Sequence, residues 1–319
     1  MSDGRPSGRE WVWPHLALFA VQVIFGTWPV FGKMAMRAVP ATSLVAFRVG
    51  GAAVAFLLLN RLTGRRDAPA PARADYARFF LYAMLGVVLN QLLFTKGLSL
   101  STVVNSTLIG TAIPVFALLV SVVLGYEGLT LRKLLGTAVA ASGVVYLVDP
   151  FGADFSGGRA LGNVLLVSNT FVYAAYIAIS QESFKKFGAL TVLGWVFLFG
   201  SLITVPLGVY QMSEVPLAGL GAEIWLTIIY IILVPTVGAY YLNAWALARV
   251  SPSTVAAYIY LQPLIASAIA PLVLGAEEGF HPRALLAAGL IFAGVALVTL
   301  RAGSRAAAEL SEHPDAIGH

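Results

Sequence analysis

Residues 97–126, GLSLSTVVNSTLIGTAIPVFALLVSVVLGY, run for thirty positions without a charged side chain, and Glu127 then ends the run. A second uncharged run, 250–276, closes the same way, with LGAEEG at 274–279. A hydrocarbon core about 30 Å thick needs about 20 apolar residues of helix, so either stretch is long enough to cross a bilayer.

The rest of the chain reads alike. Over 319 residues it is 59% hydrophobic and 11% charged, with a mean hydropathy of +0.84, where soluble domains carry roughly 25% charged residues. Further uncharged runs cover 11–32, 79–95, 134–148, 160–181, 187–213, 224–248 and 284–300, and a tenth, 38–60, is broken only by Arg48. None shows the alternation of a membrane barrel. The expected fold class is therefore all-α integral membrane, with ten transmembrane helices. The first run, 22 residues, exceeds the apolar core of a signal peptide, and no convincing cleavage site precedes Lys33, so it counts as the first span.

Charge distribution orients the spans. With the N-terminus in the cytoplasm, fourteen Lys and Arg fall in inside segments and five outside: Lys33, Arg37, Lys96, Arg159 and Arg283. Positive charge accumulates on the cytoplasmic side, which puts both termini there in a multi-pass inner (plasma) membrane protein. The polar connection 61–78, the N-terminal residues 1–10 and the tail 303–319 are too polar to build a core. The net charge of +5 lies in loops, with no basic and aromatic patch for a nucleic acid.

The chain repeats itself. A shift of 149 residues superposes Thr42 on Thr191, Gly51 on Gly200, Leu98 on Leu247 and Pro114 on Pro263. A shift of 151 superposes Glu127 on Glu278, Arg132 on Arg283 and Gly143-Val144 on Gly294-Val295. Two units follow, 11–149 and 159–302, each of five spans. An odd number of spans makes the second unit enter the bilayer from the opposite side, and inverted repeats of this kind are the architecture of alternating-access carriers.

Several stretches resemble the EamA branch of the drug/metabolite transporter superfamily. They are FGTWPVFGK at 25–33, FR at 47–48, the segments from Lys96 and Gly125, and the echo PLIASAIAPLVLGAEEGFHPRALLAAGLIFAGVAL from 263. The resemblance spans about residues 15–300 and implies a ten-helix carrier of small metabolites, often an exporter, with a cavity between the halves.

Candidate site residues are the polar and aromatic side chains inside spans. Asn169, Tyr173, Tyr176 and Ser180 recur at helical spacing on one face of the sixth span, as do Thr254, Tyr258 and Gln262 in the ninth. Tyr241 and Trp245, Asn90 and Gln91, Thr107 and Thr111, and Gln22 and Trp28 complete the set. Such groups either line a solute cavity or join helices through hydrogen bonds worth about 0.6 kcal/mol each. As a lining they suit a neutral or zwitterionic solute, such as an amino acid.

Arg48 either meets an anionic group of the solute or snorkels and caps loose carbonyls; Lys33 and Lys96 read as interface residues. Pro114 and Pro263 are expected hinges or kinks. Gly136, Ala140 and Gly143, and Ala288, Gly289, Ala293 and Gly294, form small-residue packing stripes, within a monomer or across a homodimer. Glu127 and Glu278 precede helix starts and read as structural loop anchors, with proton coupling as the competing role.

No cofactor is expected. The chain has no cysteine, and its four histidines, His15, His281, His313 and His319, avoid mid-span positions. No HExxH motif and no deep aspartate suggest catalysis. The expectation is a carrier working by facilitated transport or exchange, with a proton-coupled antiporter and a channel as alternatives. Its partners are a small solute and the lipid bilayer.

Overall fold

The computed structural model describes residues 8–63, 69–124, 130–148, 158–213, 219–250, 255, 258, 259, 261–276 and 282–299. Glu127, Glu278 and Thr254 lie outside the described residues. The described ones form helices and connections, with no strand among them. In chain order the helices are α1 (Gly8–Ala35), α2 (Ala41–Thr63), α3 (Arg73–Leu100), α4 (Val103–Gly110 continued by Ile113–Val123) and α5 (Leu131–Val148). Then come α6 (Arg159–Phe187), α7 (Ala189–Met212), α8 (Ala222–Leu247), α9 (Leu261–Leu274) and α10 (Pro282–Thr299).

Seven of these are long and apolar enough to cross a membrane, and α5, α9 and α10 contribute shorter apolar stretches. The outer surface is apolar as well: Leu272 is 86% exposed and Leu226 66%. A soluble protein rarely leaves such a surface uncovered, and in a bilayer lipid covers it.

Helix pairing follows small residues. The α5–α10 contact brings backbones together: a Cβ on Gly143 would lie 2.9 Å from the Ala287 carbonyl, and one on Gly294 2.3 Å from the Ala140 nitrogen. Gly136 and Ala140 are buried with Gly143, and Ala288 with Gly294, whereas Gly289 and Ala293 face outward. The stripe read in the sequence of α10 is thus only half a packing face. The other extensive pairings are α2–α7, α3–α6, α1–α8, α1–α9, α4–α6, α3–α7 and α2–α8.

The α6–α7 link is the single residue Gly188, at φ 80° and ψ 157°, backbone space that only glycine enters without strain. Two helices also widen at their middles into π-helical turns, Met84–Leu89 in α3 and Ile232–Gly238 in α8. Each turn contains a helix breaker, Gly86 in one and Pro235 in the other. Pro235 has no N–H, so the Ile231 carbonyl loses its usual donor. The Thr236 hydroxyl supplies one, donating to Ile231 O at 2.7 Å.

Candidate solute site

Just past the widened turns, Asn90, Gln91 and Tyr240 help to wall a central cavity of about 100 Å³. Its wall draws on α1, α2, α3, α4, α6, α8 and α9, so both halves of the chain contribute. A single water occupies about 30 Å³ in the liquid. The space suits a small solute.

Arg48 anchors the wall. It does not snorkel: the residue is 1% exposed, and its guanidinium carbon sits 3.6 Å from the centre of the Trp28 ring. That is cation–π geometry, strongest when desolvated. Its Nη1 donates to Gln91 Oε1 at 2.5 Å, and its Nε donates to Thr236 Oγ1 at 3.1 Å. Because the Thr236 proton already goes to Ile231 O, the oxygen is left as an acceptor for the arginine. The Pro235 distortion and the placement of Arg48 are therefore linked through one hydroxyl.

The network continues across the molecule. Gln91 Nε2 donates to the Tyr240 hydroxyl at 2.7 Å, and Tyr240 OH donates to Asn90 Oδ1 at 3.3 Å. Asn169 Nδ2 donates to the Asn90 carbonyl at 2.8 Å, tying α6 to α3. On the far wall Gln262 Nε2 donates to Gln22 Oε1 at 2.5 Å, tying α9 to α1. Aromatic rings fill the gaps: Phe25 meets Tyr240 edge-on at 6.2 Å, and Phe94 stacks on Trp28 at 6.2 Å.

Of the residues singled out from the sequence, Trp28, Arg48, Asn90, Gln91, Thr107, Asn169, Tyr173 and Gln262 line this cavity, as does Gln22. Thr111 does not; it is fully buried and its hydroxyl returns to the Leu108 carbonyl at 2.6 Å. Tyr176 packs its ring against Gly86, where a Cβ would lie 2.7 Å away, and Ser180 is buried away from the cavity. Tyr241 and Trp245 border crevices at the end of α8, where the Arg249 guanidinium lies 4.0 Å over the Trp245 ring. The Tyr258 hydroxyl meets His15 Nδ1 at 2.9 Å.

The two prolines are placed differently from mid-helix kinks. Pro114 sits in the first turn of the second segment of α4, after the break at Thr111-Ala112, and Pro263 is the third residue of α9. Pro114 thus occupies a position where a missing N–H costs little. Lys96 is exposed and Lys33 half-buried at the end of α1.

Sequence reading passed over Phe25, Phe94, Ser106, Thr236, Tyr240 and Asn243. For Tyr240 a signal existed: it lies 149 residues from Gln91, the interval of the internal repeat, and the two side chains are hydrogen-bonded to each other. Thr236 follows directly on Pro235, and a hydroxyl beside a helix-distorting proline is a natural partner for the released carbonyl.

A bundle of long apolar helices around a small, mostly apolar cavity with a few polar groups in its wall is the arrangement of a multi-pass membrane protein. Comparison with known proteins identifies the group. The chain matches the EamA-like transporter family twice, over residues 12–148 and 160–300, and belongs to that family.

Several relatives are named as transporters. An uncharacterized transporter of Archaeoglobus fulgidus is 24% identical over 90% of this chain and 97% of its own length. A protein of Streptantibioticus cattleyicolor, named a probable terminal-alkyne amino-acid exporter, is 26% identical over 82% of this chain and 90% of its own. The WALLS ARE THIN 1 protein of Arabidopsis thaliana is 22% identical over 89% and 82%. A crystal structure shares the fold with a TM-score of 0.63 at 16% identity, covering 90% of this chain and 97% of the other. The protein is a membrane transporter.

Proposed function

We propose that the chain is a ten-span secondary carrier that moves a small metabolite, amino-acid-like in size, by alternating access at the central cavity. The observation that carries this reading is the cavity itself, which is walled by both halves and crossed by the Gln91–Tyr240 bond between residues one repeat interval apart. A site at the junction of two inverted repeats is where rocking of one half on the other exposes a solute to alternate sides.

Two inverted five-helix units, 11–149 and 159–302, are part of the proposal. Exchanging α1–α5 with α6–α10 leaves the pairings α2–α7 and α5–α10 in place and converts α3–α6 into α1–α8, α4–α6 into α1–α9, and α3–α7 into α2–α8. The π-helical turns correspond too, since Gly86 and Pro235 are also 149 positions apart. The small-residue faces of α5 and α10 are consumed against each other within the chain, which favours a monomer.

Transport is facilitated or by exchange, across the plasma membrane, with both termini cytoplasmic. Among the described residues, no Asp or Glu lines the cavity to relay a proton. Export is the proposed direction, by analogy with the amino-acid exporter among the relatives. The test is release from liposomes loaded with amino acids, nucleosides, sugars and amines, followed by mass spectrometry with and without a pH gradient. Selective, saturable release that ignores the pH gradient is expected. Release driven by the pH gradient alone would instead establish proton antiport, and non-saturable release without counterflow would establish a channel.

A further inference from the structure

Arg48 is a buried cation with no anion beside it among the described residues. Its described partners, Gln91, Thr236 and the Trp28 ring, are all neutral. No acidic side chain among the described residues lines the cavity, and no ion pair among them reaches Arg48. A guanidinium has five N–H groups, and two of these are engaged here. Among the described residues no acceptor takes the remaining three, and the side chain forms part of the cavity wall. An ion held only by neutral dipoles stays under-solvated, so an incoming anion gains more here than at a site that is already neutral.

We infer that the transported solute is a small organic monocarboxylate, bound as its anion with the carboxylate on Arg48 and its body against Phe25, Phe94 and Tyr173. This rests on the carrier reading and narrows it. A zwitterion would bring an ammonium as well, and the described lining offers that group amide oxygens, hydroxyls and ring faces but no carboxylate. Its second charge would be buried unpaired. A phosphate monoester would set nearly two negative charges against one cation.

Two matched series test this: lactate, lactamide and alanine, then mandelate, mandelamide and phenylglycine. Within each, shape is nearly constant while net charge goes from −1 to 0 to a zwitterion. Binding to purified protein is read by calorimetry, and exchange by counterflow of labelled compound in liposomes. At least one acid is expected to bind about 30-fold or more tightly than its amide and to exchange, with the zwitterion no better than the amide.

Arg48→Gln should abolish that preference. Gln91→Glu places an internal carboxylate where Oε1 now lies 2.5 Å from Arg48 Nη1, and should abolish it with the thermal melt preserved. If the zwitterions or amides bind and exchange as well as the acids, the monocarboxylate assignment is overturned and the carrier stands. If none of the six moves but the mixed pool yields another saturable solute, the outcome is the same. If nothing moves in either assay, the carrier reading falls with it.

Discussion

Thr236 shows how much of the site rests on one hydroxyl. Pro235 withholds a hydrogen from the Ile231 carbonyl, Thr236 restores it, and the same oxygen then receives Arg48 Nε at 3.1 Å. Thr236→Val keeps the shape of the side chain but strands a carbonyl and an arginine N–H in the interior. Leaving buried partners unsatisfied costs about 1–3 kcal/mol. The expected outcome is a lowered thermal midpoint in detergent and weakened solute binding, with Thr236→Ser restoring both. Equal midpoints for the valine variant and the parent would show that water or another group replaces the hydroxyl.

Among the elements, α5 and α10 approach each other backbone to backbone. On Gly294 a Cβ would meet the Gly136 carbonyl at 2.5 Å as well as the Ala140 nitrogen, and neither backbone atom can move aside cheaply. On Gly289, earlier in the same helix, a Cβ would meet nothing within 4 Å. Gly294→Leu should therefore separate the pair, lowering both the yield of monodisperse protein and its melting midpoint. Gly289→Leu, pointing outward, should leave both near the parent. The two substitutions change hydrophobicity equally, so a difference between them isolates packing from composition. The widened turns in α3 and α8 act at the same scale, because they turn Asn90, Gln91, Thr236 and Tyr240 toward one another in mid-helix.

For the whole molecule, the proposed inverted arrangement makes a prediction about sidedness. The chain has no cysteine, so single cysteines report without background. With both termini cytoplasmic, Arg37→Cys, in the α1–α2 turn, should react with an impermeant maleimide on intact cells. Ala70→Cys, before α3, should react only after permeabilisation. The reverse pattern would invert the topology and the proposed direction of transport with it.

Much of this protein was written in the sequence. Composition and uncharged runs determined a helical membrane protein, because a bilayer admits only long apolar segments whose backbone groups bond internally. The segments from Lys96 and Pro263 pointed to the EamA family. The membership of the cavity was not legible in the same way. Tyr173 and Tyr176 share a helical face, yet one lines the cavity and the other lies on Gly86; Tyr240 and Tyr241 are neighbours, yet Tyr240 carries the network. In a soluble helix the polar face marks the outside. Here lipid and protein interior are equally apolar, so the sequence of a span carries little record of which side faces a partner helix. Only the packing of α1, α2, α3, α4, α6, α8 and α9 around one another decided that Arg48 ends in the wall of a small cavity with neutral partners rather than at the membrane surface.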